Sequence, residues 1–159
     1  MRFLTFLLLL ALSTPALSDD FDFDAYRPAQ VIDIHIYVAN HAAGTTHWLD
    51  ASHAKFNTVA QITGKRRAIL PERKAFIQMW VDYIGHPQSF ADMFQTEIEV
   101  MQGTASYWMP IQQLLLAPLD EEVAEGQPVR LYLLLLGAYE QDPVITIAEF
   151  SAQSSTGHP

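Results

Sequence analysis

Cysteine is missing from all 159 residues. That excludes disulfides, a thiol nucleophile and lipid attachment through a terminal cysteine, so the fold has to rest on a hydrophobic core. Basic residues are scarce as well: nine Lys and Arg stand against eighteen Asp and Glu, a formal net charge of −9. Binders of nucleic acid or anionic membranes depend on Lys and Arg to release counterions, and this balance argues against both. A solubilising acidic surface is the simpler use of the charge. The longest apolar run lies near the N-terminus and falls short of the ~20 residues that a membrane-spanning helix needs.

Catalytic signatures are missing too. Beyond the first eighteen residues there is no G-x-S-x-G elbow, and no G-x-x-x-x-G-K-[ST] loop, G-x-G-x-x-G or H-E-x-x-H occurs. The motif-bearing hydrolase and nucleotide-dependent classes therefore have no support, and a non-enzymatic role is favoured.

What is present begins with an address. Met1-Arg2 supplies a short positive start, Phe3 to Leu12 is almost unbroken apolar, and Ala16-Leu17-Ser18 offers small residues before Asp19. This is the pattern of a cleaved signal peptide, residues 1–18, and it predicts an exported protein, periplasmic or secreted, with no stable membrane insertion after cleavage. Residues 19–29 alternate acids with aromatics and read as an N-terminal tail. Residues 30–151 suit a single domain, and 152–159 read as a disordered C-terminal tail.

Within the domain, VIDIHIYV (31–38) alternates apolar and polar residues and predicts a strand, with Asp33 and His35 on one face. Two further strands are expected around Phe56–Ile62 and Arg66–Leu70, with a turn at Thr63-Gly64. Pro71 to Ile84 predicts a helix opened by Pro71 and closed by Gly85. A short helix is expected after Pro87. Glu97 and Glu99 then alternate with Ile98 and Val100 on a strand whose carboxylates face water.

Tyr107-Trp108-Met109 reads as extended because it precedes Pro110, which is expected to open a helix that restarts at Pro118. Val129–Leu136 and Val144–Phe150 flank the polar Glu140-Gln141-Asp142-Pro143 and predict a hairpin, its first strand buried on both faces. This order predicts an α+β fold: a small curved antiparallel sheet or partly open, OB-like barrel with covering helices.

Two groups are candidates for function. Tyr107 and Trp108 would form a ligand-binding anchor if partly exposed, since Tyr and Trp are favoured at interfaces. This fits a non-catalytic binding domain of the cell envelope with a protein, peptide or glycan partner and no cofactor. The alternative lies upstream, where His35, His41, His47 and His53 fall close together in sequence. Asp33, His35, His47 and His53 would be the ligands of a Zn or Cu site, serving metal binding or a metal-dependent hydrolase. The basic group Lys65, Arg66, Arg67, Arg73 and Lys74 is a local positive spot on an acidic chain, suited to a phosphate or carboxylate or simply solvated.

Overall fold

The computed structural model describes residues 21–152. The expected signal peptide, residues 19–20 and residues 153–159 lie outside the described residues. Among the described residues the fold is α+β, with three α-helices and a seven-stranded mixed sheet whose strands form a partial ring.

The C-terminal hairpin forms as expected. β6 (Pro128–Tyr139) and β7 (Asp142–Ala152) pair antiparallel along their lengths. β6 is buried on both faces: Leu131, Leu133 and Leu135 enter the main core, while Leu134 and Leu136 join a second core on the other side. An apolar run of this kind settles as a strand because both of its faces find cover. Ala152, expected at the start of the C-terminal tail, continues β7 and pairs with Val129.

The ring is drawn together by β3 (Lys55–Ala68), which pairs with β6 through its first half and with β4 (Phe94–Gln102) through its second. The two short strands expected here are thus one. Thr63-Gly64 forms an irregularity between Ile62 and Arg66, bending the strand where a hairpin turn was anticipated. β4 pairs antiparallel with β5 (Ala105–Gln112), and β5 meets β7 in parallel at Ile111↔Ile147. The sheet is therefore mixed, not wholly antiparallel. β1 (Arg27–Pro28) and β2 (His47–Leu49) extend it on β3 and β6. At Gly137, with φ +147°, an added Cβ would lie 1.9 Å from the Trp48 carbonyl oxygen, so only glycine lets β2 approach.

Residues 31–38 are not a strand. They lie in helix α1 (Val31–His41). The sequence carries both periods, and burial decides between them: Val31, Ile34 and Val38 enter the core, while Ile32 and Ile36 remain 49% and 55% exposed. Asp33 helps start the helix by accepting the Gln30 backbone N–H at 3.2 Å.

α2 (Pro71–Tyr83) opens at Pro71 as expected, although its buried stripe is Phe76, Ile77, Trp80 and Val81. Met79 and Tyr83, on its other side, are exposed. The short helix after Pro87 is a 3-10 turn, Gln88–Met93. α3 (Gln113–Glu122) begins later than expected, because Pro110 belongs to β5, opposite Glu97. Pro118 lies inside α3 and causes no restart.

Two hydrophobic cores result. The larger fills the ring and takes the buried face of α1. The smaller packs α2 and the 3-10 turn against the outer side of β6. At the N-terminal end, Tyr26 is buried and groups with Phe21, Phe23 and Tyr132. Among the described residues no helix is long and apolar enough to cross a membrane.

Candidate functional site

The register of β3, β4 and β5 places Arg67 opposite Glu97, and Glu99 opposite Trp108. These four side chains share the face of the sheet away from Ile98, Val100 and Met109, which point into the main core. The two carboxylates thus lie on the face the sequence predicts, but they are not solvated. Glu97 is 0% exposed and Glu99 is also buried.

Their partners explain why. Glu97 accepts from Arg67 Nε at 2.7 Å and from Arg73 Nη1 at 2.5 Å. A buried carboxylate is tolerated when it is paired and hydrogen-bonded in this way. Arg73 reaches it from the first turn of α2 and also donates to the Trp108 carbonyl at 2.9 Å. Glu99 accepts from Lys65 Nζ at 2.9 Å and Thr63 Oγ1 at 2.7 Å. The Lys65 hydrogen bond, followed by that of Thr63, holds the Glu99 carboxyl below its ordinary value against the opposing effect of burial.

Trp108 extends this arrangement sideways. The Arg67 guanidinium lies 4.2 Å from the centre of its ring, a cation–π stack. Beside it runs a groove of about 300 Å³ lined by His35, Arg67, Arg73, Tyr107, Trp108 and Asp142, among others. Tyr107 and Trp108 are consecutive strand residues and point to opposite faces. Both reach the groove because it follows the margin of β5, where the strand parts from β7. The His35 ring, from α1, lies 5.3 Å from that of Tyr107. Burial lowers the His35 pKa from its ordinary value, and the Asp142 charge partly counters the shift.

The histidine candidates do not converge. Asp33 and His35 are two residues apart on a helix, where each residue turns about 100°, so they diverge instead of sharing a face. Asp33 is engaged as a helix cap. His47 lies on β2 against Tyr139, and His53 sits in the following loop against Trp80. Nearby Asp50 is buried and accepts from Ser52 N, Ser52 Oγ and Ala54 N at 3.1, 2.6 and 2.7 Å. Among the described residues no group of three or more His, Asp or Glu is placed to hold a metal ion.

One histidine candidate, His35, instead joins both aromatic candidates, Tyr107 and Trp108, in the groove. Sequence reasoning missed Glu97 as an anchor and Asp142 as a lining residue. It marked Arg67 and Arg73 only as part of a positive spot, much of which is paired: Lys65 with Glu99, Arg66 with Asp120, and Arg67 and Arg73 with Glu97. Ser106 and His35 both line the groove, and no hydrogen bond joins them among the described residues.

No protein-family model, curated protein or solved structure matches this chain.

Proposed function

We propose that the chain is an exported, non-catalytic binding domain of the cell envelope whose groove beside Trp108 receives a protein, peptide or glycan partner. One observation carries this reading. Trp108 belongs to neither hydrophobic core, and its half-buried ring is held at the groove by the Arg67 stack. An aromatic kept at a surface by a fixed cation costs little further entropy when a partner docks on it. The acidic net charge and the unassembled histidines favour recognition over nucleic-acid binding or metal chemistry.

The test is a comparison of peptide and glycan arrays probed with residues 19–159 and with the Trp108→Ala variant. Ligands bound by the wild type and lost in a variant with unchanged thermal unfolding support the reading. Trp108→Ala that binds every wild-type ligand equally well contradicts it.

A further inference from the structure

We propose that the groove recognises a single carboxylate carried beside an apolar side chain, as in an acidic peptide segment. This rests on the binding reading above and adds the chemistry of the ligand.

The argument starts from hydrogen-bond capacity. A guanidinium carries five N–H donors in a rigid fork suited to a carboxylate. Arg67 spends Nε on Glu97, and Arg73 spends Nη1 on Glu97 and the Trp108 carbonyl. Both terminal nitrogens of Arg67, and Nε and Nη2 of Arg73, have no protein partner among the described residues. Both side chains line the groove. Glu97 is wholly buried beneath them, so it fixes the two forks without being able to leave and compete at the surface. Binding therefore costs little side-chain ordering, which is the condition for a short ligand to bind at all.

Charge sets the valence. Two guanidiniums against Glu97 leave one positive charge, and Asp142 across the groove offsets it. The groove is therefore neutral before a ligand enters: a monoanion adds a single negative charge for the spare guanidinium N–H groups to offset, whereas a phosphate dianion adds two. The rest of the lining sets the class of ligand. Leu70, Pro143 and Ile145 offer no donors or acceptors from their side chains. An apolar residue next to an acidic one matches this part of the lining, whereas a sugar acid would set some of its hydroxyls against it.

The experiment is isothermal titration of residues 19–159 with four probes: acetyl-Ala-Phe-Glu-Ala-amide, its Gln counterpart, its phosphoserine counterpart and trigalacturonate. The Glu peptide is expected to bind about tenfold more tightly than the Gln peptide, the preference that one charged hydrogen-bond set supplies. Arg67→Lys keeps a cation for Glu97 and removes the fork, so the ratio of Glu-peptide to Gln-peptide affinity should fall toward one. Equal affinity for Glu and Gln peptides, both lost in Trp108→Ala, overturns the carboxylate assignment and leaves the binding reading standing. Tighter binding of trigalacturonate or of the phosphoserine peptide overturns the choice of ligand class. Silence from both the Glu and Gln peptides at millimolar concentration overturns the inference, and the array comparison then judges the broader reading separately.

Discussion

The segment from Asp33 to His53 and the outer face of β3, β4 and β5 use their polar residues in opposite ways. In the first, candidate ligands close in sequence are carried apart: Asp33 caps α1, His47 rides on an edge strand, and His53 belongs to a loop. In the second, Glu97 and Trp108 lie far along the chain from Arg67 and Arg73 and meet them within hydrogen-bond and stacking distance. Strand register and the first turn of a helix brought the second group together. Nothing comparable acts on the first. Nearness along the chain is therefore a poor guide to a site here, and opposite residues on paired strands are a better one.

The sharpest way to break this contrast is to remove the anchor. Glu97→Ala leaves two guanidiniums without their buried carboxylate and should cost about 3 kcal/mol, near the lower end for a broken buried pair because Arg67 is partly exposed. His53→Ala should change stability by less than about 0.5 kcal/mol, as ordinary surface changes do. Urea denaturation of the two variants measures the difference, and equal losses would erase the distinction between the regions.

A second perturbation reaches the histidine side alone. Gly137→Ala sets a methyl group against the Trp48 carbonyl and should cost about 2 kcal/mol through displacement of β2. The imidazole resonances of His47 should shift strongly, and the Trp108 indole resonance should stay in place. Movement of both would mean that the two regions are mechanically one.

The turn before Asp142 provides a smaller effect of opposite sign. Glu140 and Gln141 hold φ of 48° and 70°, where residues other than glycine and asparagine are disfavoured. Replacing the pair with Asn-Gly should raise stability by about 1 kcal/mol in thermal melts. Unchanged peptide affinity in that variant would show that the turn matters to the groove only through the placement of Asp142.

The smallest effect expected is the pH response of His35. Its folded pKa is lowered by burial, so the unfolded chain takes up the proton first as pH falls. Stability from the neutral ring is present above the ordinary value of 6.5 and is lost as pH drops from there toward the lowered folded value. Glu99 adds a later loss, since its lowered pKa stabilises the fold above the ordinary 4.5 and that support fades as pH falls through the folded value. His35→Gln should remove the first decline and leave the second, as read from denaturation midpoints between pH 7 and pH 3.

Much of the fold was legible because hydrophobic pattern and turn residues agree with it. Pro71 opens α2, and the doubly apolar run of β6 could be buried only between a ring interior and a helix. The failures have specific causes. Residues 31–38 satisfy strand and helix periods together, and only the packing of Val31, Ile34 and Val38 selects the helix. Pro110 fits the margin of a sheet as well as a helix start. The site was half legible: Tyr107 and Trp108 stand out by composition. Glu97 reads as an ordinary exposed strand acid, because the cations that bury it come from β3 and α2 by long-range pairing.

Nuclear magnetic resonance of the arginine Nε–H, tryptophan indole and histidine ring signals during addition of acetyl-Ala-Phe-Glu-Ala-amide compares the two regions in a single titration. The expected result is saturable shifts at Arg67, Arg73, Trp108 and His35, with His47 and His53 unmoved. Shifts centred on His47 and His53, with Arg67 and Trp108 silent, would contradict the placement of the site in the groove.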